Sequence, residues 1–164
     1  MHRRWYPMLL VVLGLLILGT TVGATTDDIL FNLSDSDPQV RLATIQALDD
    51  TTAELVVSRL VELLADPDYN VNQAAAKLLT NLGEVSVSEL ERGLAKFAGT
   101  NTLTVRQSIA RILGQIDSQN SVEVLIKALN DPAPQIKRAA AQGLGQIGAN
   151  AIDSSLHLAR LLMD

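Results

Sequence analysis

The chain has no cysteine among its 164 residues. That absence excludes a disulfide scaffold, a thiolate zinc site, an iron–sulfur cluster, a cysteine nucleophile and a lipid-modified N-terminal cysteine. His2 and His157 are its two histidines, too few for an imidazole metal cage or relay. Aromatic residues make up 3% of the sequence, and beyond residue 24 they are Phe31, Tyr69 and Phe97. Aromatic side chains usually anchor tight interfaces, so an interface here is expected to have moderate affinity or to add several weak contacts. Basic residues are scarce too. Setting aside Arg3 and Arg4 leaves 11 of them against 18 acids, net −7, with no basic cluster longer than two. Such a chain is poorly suited to nucleic acid or to anionic lipid surfaces.

What is present is apolar residue, at 48%, which excludes an intrinsically disordered chain. The length supports one domain with its own core. Charge is uneven along it: residues 25–83 hold 10 acids and 3 bases, residues 84–164 hold 8 of each.

Residues 1–24 read as an export segment rather than as fold. His2-Arg3-Arg4 is a short basic start, Met8 to Leu18 an apolar run, and Val22 and Ala24 have the small-residue spacing of a cleavage site. The expectation is a signal peptide cut after Ala24, leaving a domain over 25–164 in the periplasm or outside the cell. The alternative is an uncleaved inner-membrane anchor facing the periplasm, since Trp5 to Ala24 is uncharged. The membrane is then touched only through residues 1–24.

Internal repetition decides the fold class. Four segments begin at Val40, Val71, Val105 and Ile136, spaced 31, 34 and 31 residues apart. Five residues before them stand Asp35, Asp66, Thr100 and Asp131, and Pro38, Pro67 and Pro132 lie just ahead of three of them. Apolar residues inside each segment recur at helical spacing, as in Val105, Ile109, Ile112 and Leu113. Further helical stretches lie between, at Ala53–Ala65, Ser86–Ala98, Ser121–Asn130 and Ala151–Met163, with a short first member at Asp27–Leu33. Ile29, Leu60, Leu94 and Leu125 occupy matching positions in the first four of these in chain order. The predicted unit is helix, turn, helix, and stacking of such units gives an all-α solenoid of about four repeats.

The Asp-Pro turn, the Val-Arg step, the Ala-Ala pair and Leu144-Gly-Gln-Ile-Gly148 resemble HEAT repeats of the phycobilisome-lyase HEAT-like type, over about residues 26–164. That resemblance implies a pairing of each turn aspartate with the basic residue six places on: Asp35 with Arg41 and Asp131 with Lys137. Asp66–Asn72 and Thr100–Arg106 depart from it, so the ladder is expected to break in the middle. The resemblance also implies that the second helices line a concave face. Its columns would be Gln46, Lys77, Arg111 and Gln142; Leu42, Gln73, Gln107 and Arg138; and Asp50, Asn81, Gln115 and Gln146. Among these, Gln46, Lys77, Arg111, Gln142, Gln73, Gln107 and Arg138 are the candidate partner-binding residues, set against the alternative that long polar side chains merely solvate a helix.

Apparent chemical motifs have simpler readings. Gly143-Leu-Gly145-Gln-Ile-Gly148 matches a dinucleotide fingerprint, but it ends a helix and follows no strand, so close helix packing and a helix stop are expected. Asp153 and His157 are one helical turn apart near Ser154 and Ser155, an arrangement expected to be a solvated pair. Asp27, Asp28, Asp35 and Asp37 lack the loop spacing of a calcium site, and helix starts favour acids on their own account. Asn32-Leu-Ser34 is a formal glycosylation acceptor. The HEAT-like iron hydroxylases need several His-Glu pairs, and this chain contains none. The expected function is therefore a non-catalytic, exported protein–protein binding module or scaffold without a cofactor. The alternative is an accessory or chaperone-like partner of a pigment- or cofactor-attaching lyase. A last helix at 151–164, apolar on more than one side, is expected to cap the stack and to permit weak self-association.

Overall fold

The computed structural model describes residues 25–97, 102–116 and 118–148. The expectations for residues 1–24, Ala24 included, and for 151–164 with Asp153 and His157 lie outside these residues. Nine α-helices and one 3-10 turn form within them, with no strand. They are α1 (Thr26–Asn32), α2 (Pro38–Ala47), α3 (Asp50–Glu54), α4 (Val57–Glu62) with the 3-10 turn Leu63–Ala65, α5 (Tyr69–Leu82), α6 (Glu84–Lys96), α7 (Leu103–Gln115), α8 (Gln119–Ala128) and α9 (Pro134–Ile147).

The pairing is that of an α-solenoid. First helices α1, α3–α4, α6 and α8 form one layer and second helices α2, α5, α7 and α9 the other. Within the second layer α2 packs on α5, α5 on α7 and α7 on α9; within the first, α4 packs on α6 and α6 on α8. The repeat positions become one continuous core. Leu60 and Leu125 are fully buried at the matched first-helix position, and Ile29 and Leu94 nearly so. Leu79, Leu113 and Leu144 do the same from the second helices. A fully buried side chain of this kind contributes roughly 1.5–3 kcal/mol relative to an exposed one.

Local chemistry explains the helix starts. Thr25 and Asp28 form a reciprocal capping box on α1. Asp37 accepts from the Gln39 amide, Asp68 from those of Asn70 and Val71, and Ser118 from that of Ser121. Pro38 and Pro134 sit in the first turns of α2 and α9, whereas Pro67 and Pro132 lie in the turns before their helices. Two expected elements differ. The stretch Ala53–Ala65 is not one helix: the chain turns at Leu55–Val56, where Val56 leaves the helical region with φ −123° and ψ 17°. Asp50 opens α3 rather than extending α2, because α2 stops at Ala47 and Asp49 caps the next helix through the Thr52 amide. Asp50 thus does not belong to a second-helix column.

The turn aspartates correct the expected ladder. Asp35, Asp66 and Asp131 each accept, through Oδ1, the amide of the residue two places on, at 2.7, 2.9 and 2.9 Å. That fold-back pins the turn, and the basic partner comes from the preceding repeat. Arg41 Nε and Nη2 donate to Asp66 at 2.8 and 2.7 Å, while Arg41 Nη1 donates to the carbonyls of Asp35 and Ser36 at 2.7 and 3.2 Å. Arg106 likewise clamps Asp131 with two nitrogens and donates Nε to the Leu94 carbonyl at 2.9 Å. Pairing therefore runs 25 residues forward, from one repeat to the next, and not six forward within a repeat. Lys137 makes no ion pair among the described residues. The break falls in the middle as expected, for a different reason: Asn72 stands where Arg41 and Arg106 do, and among the described residues it donates only to the Leu64 carbonyl and to no carboxylate.

Glycine sets the closest approach. A Cβ built on Gly114 would lie 2.4 Å from the Gly143 Cα, and one on Gly143 would meet the Ala110 carbonyl oxygen at 3.1 Å. Backbones of α7 and α9 thus touch where larger side chains would hold them apart. Across the first layer the corresponding helices α6 and α8 are bridged by Lys127–Glu91 and Asn120–Glu84 and leave an open surface cleft of about 160 Å³ beside these pairs. Gly148 ends α9 with φ 64°, a backbone conformation that suits glycine.

Two outcomes follow for stability, both readable from urea midpoints at constant m. Gly114→Ala should cost about 1–3 kcal/mol through backbone overlap, while Gly145→Ala, whose added Cβ meets nothing within 4 Å, should stabilise by about 0.5–1 kcal/mol. Effects of the same sign would contradict the close α7–α9 contact. Asp66→Ala leaves Arg41 buried without its carboxylate and should cost about 3 kcal/mol; a loss below about 1 kcal/mol, the scale of an exposed pair, would show that the clamp is not buried in solution.

Candidate second-helix docking face

Charge is sorted by layer. The four second helices carry six basic residues, Arg41, Lys77, Arg106, Arg111, Lys137 and Arg138, and no acid. First helices and turns hold the carboxylates of the described chain. Every basic residue of the first helices is neutralised there. Arg59 and Lys96 both reach Glu62, at 2.8 and 2.5 Å; Arg92 reaches Glu89 at 2.5 Å; Lys127 reaches Glu91 at 2.7 Å. These contacts move titrations in the directions expected of ion pairs. Lys96, and then Arg59, hold the Glu62 carboxyl below its ordinary value, and Glu91 raises the Lys127 ammonium.

The second layer differs. Arg41 and Arg106 are buried in the inter-repeat clamps, and the Asp66 carboxylate raises the Arg41 guanidinium further. Lys77, Arg111, Lys137 and Arg138 are exposed and make no ion pair among the described residues. The free cations of the described chain thus all stand on one layer.

Row by row, the candidate residues fare differently. Gln46, Lys77, Arg111 and Gln142 are all exposed, one on each successive second helix. In the second row Gln73 and Gln107 are half-buried and Arg138 is exposed; Leu42 packs against the core and is no contact residue. Gln73 Nε2 donates to the neighbouring Asn72 at 3.2 Å. In the third row Asn81, Gln115 and Gln146 are exposed, with the Thr80 hydroxyl donating to Gln115 Oε1 at 3.4 Å across α5 and α7. Lys137 was not among the expected residues. It reads as the second member of a Val-Arg-like step and so as a ladder residue, and only the forward pairing of Arg106 with Asp131 leaves it free. The exclusion of acids from the second helices was visible in the sequence, but it emerges only when charge is counted helix by helix and not by halves of the chain.

The other motifs are absorbed by structure. Gly143 and Gly148 serve helix contact and helix termination. Asp28, Asp35 and Asp37 are occupied in capping and turn hydrogen bonds, and Ser34 donates to the Leu30 carbonyl. Among the described residues no group of three His, Asp or Glu side chains is placed to hold a metal ion, and no helix is long and apolar enough to cross a membrane.

The family comparison agrees with the architecture. The family model for HEAT repeats matches residues 27–100 and again 92–162. An uncharacterized phycocyanin operon protein Z of Pseudanabaena tenuis is 31% identical over 128 residues, covering 73% of this chain and 62% of its own length. The chain thus spans about three fifths of that relative. A crystal structure of an engineered protein aligns over 76% of this chain and 63% of its own, at 23% identity and a TM-score of 0.41.

The first-layer pairs give a pH signature that leaves the second layer untouched. Because the folded Glu62 carboxyl titrates below its ordinary 4.5, its contribution is complete above that value and disappears as pH falls through the lowered one. Glu62 is 39% exposed, so screening keeps the contribution to about 0.5 kcal/mol. Urea midpoints of wild type and Glu62→Gln should differ by that amount at neutral pH and converge in acid. A gap that widened in acid would contradict the pairing.

Proposed function

We propose, from the premise that the chain belongs to the HEAT-repeat family, that it is a non-catalytic, exported binding module whose second-helix face docks a protein partner. One observation carries this reading: among the described residues Lys77, Arg111, Lys137 and Arg138 stay unpaired and exposed on an acid-free layer, while the first-layer cations are all neutralised. A solvated helix face has no reason to exclude acids, and a chain at net −5 has acids in surplus. Repeat stacks characteristically bind along such extended faces. Export is supported by the basic, apolar and small-residue succession of residues 1–24, the pattern of a signal cleaved after Ala24 or of a tether with the domain on the periplasmic side.

A second reading is favoured by one relative. The similar Pseudanabaena protein takes its name from a phycocyanin operon, which fits an accessory partner for pigment or cofactor attachment. That role uses the same docking face.

The test is crosslinked capture from the native cell envelope, with wild type beside Lys77→Glu/Arg111→Glu/Arg138→Glu, and intact mass read on the recovered protein. The expected result is a partner held by wild type and reduced at least tenfold in the folded variant, with a mass that begins after Ala24. Equal recovery by both proteins would overturn the face. A stoichiometric visible chromophore on wild type would favour the accessory reading.

A further inference from the structure

Building on that docking face, we infer that its occupant is an acidic polypeptide segment in the polyproline II conformation, with carboxylates three residues apart. The first support is charge complementarity. Lys77 and Arg111 occupy the same row on adjacent helices α5 and α7, both exposed and unpaired, with the amides of Gln46 and Gln142 one helix further out on either side. Lys137 and Arg138 add positive potential at the α9 end, and no second-helix carboxylate opposes an incoming anion.

Spacing is the second support. Adjacent packed helices lie about 8–10 Å apart, so a ligand crossing the layer meets a new row residue at about that interval. A polyproline II segment rises about 3.1 Å per residue with three residues per turn. It therefore returns a side chain to the same side every ~9.3 Å, in step with the helices. A β-strand returns a side chain to one face every second residue, about 6.6 Å, and falls out of register within one helix. Polyproline II also leaves its own amides and carbonyls unpaired, free for the glutamine and asparagine side chains that fill the remaining rows. The fitting segment presents one carboxylate to Lys77, a second three residues on to Arg111, and hydrogen-bonding groups at the flanking positions.

Nucleic acid fits less well. Single strands gain much of their affinity by stacking on aromatic rings, and the second helices carry only Tyr69, at the first position of α5. The chain's net negative charge opposes a polyphosphate as well.

The test uses fluorescence anisotropy with the purified chain and two labelled peptides of identical composition. In one, glutamates recur at every third position between prolines; in the other the same glutamates are adjacent. The spaced peptide should bind at least fivefold more tightly, and the preference should vanish in Lys77→Gln/Arg111→Gln and in high salt. Arg92→Gln, a change on the first layer where Arg92 pairs with Glu89, leaves both row cations intact and should keep the preference. Equal binding of the two peptides, no binding of either by folded protein, or a preference that survives the double variant would each overturn the inference. So would a thymidine oligonucleotide of matched charge that binds as tightly. Self-association that buries the row, read by sedimentation, would overturn it in favour of a second copy as occupant. A cellular partner captured through Lys77 and Arg111, alongside indifference to glutamate spacing, would retain the docking face and remove only the acidic-segment proposal.

Discussion

The guanidinium–carboxylate clamp between one repeat's second helix and the next repeat's turn is the contact on which the order of the stack depends. A helical hairpin of this kind exposes apolar surface on both sides, and apolar contact alone tolerates sliding. The clamp does not. Asp66 is bound at once to its own Asp68 amide and to Arg41, which also holds the Asp35 and Ser36 carbonyls. Two successive turns are thereby locked to one side chain. Buried ion pairs often contribute little net stability against an apolar replacement, so the value of this one lies in register: it specifies which turn sits beside which helix.

Register in turn makes the docking face. Only when the repeats align do Gln46, Lys77, Arg111 and Gln142 fall into one row. Burying Arg41 and Arg106 in the clamps spends two second-helix cations on architecture, while the first layer neutralises its own four. Among the described residues, what is left over is concentrated on one layer of a protein that is acidic as a whole. Local potential, more than net charge, decides what approaches such a surface.

Much of this was legible in the residues. The period near 31 placed the hairpins, and the matched Ile29, Leu60, Leu94 and Leu125 marked the buried side of the first helices. The twin glycines at 143 and 148 read correctly as packing and termination because no strand precedes them. Three features were hidden, each for a physical reason. Asp35 and Arg41 look like partners by proximity, but the aspartate is turned onto its own backbone, and the arginine reaches a carboxylate 25 residues away. The interruption at Leu55–Val56 lies inside an unbroken apolar pattern with no proline or glycine to announce it. Asp50 stands in the right column of the alignment, yet α2 ends three residues earlier, since Asp49 begins a helix of its own.

Asn72 has a consequence for how the molecule yields. Stability in a linear array is nearly a sum of repeat and neighbour terms, and the neighbour terms here are unequal: guanidinium clamps join α2 to the α5 turn and α7 to the α9 turn, while Asn72 on α5, among the described residues, binds only within its own repeat. The four hairpins therefore behave as two doublets joined by apolar contact, such as Gly93 against Val61, and by the exposed Lys96–Glu62 pair and the Thr80–Gln115 hydrogen bond, with no buried guanidinium clamp among the described residues. Tension applied along the stack finds its compliant point at that seam. Lys77 on α5 and Arg111 on α7 stand on opposite sides of it, so a segment bound to both would span the seam and add a tie of its own.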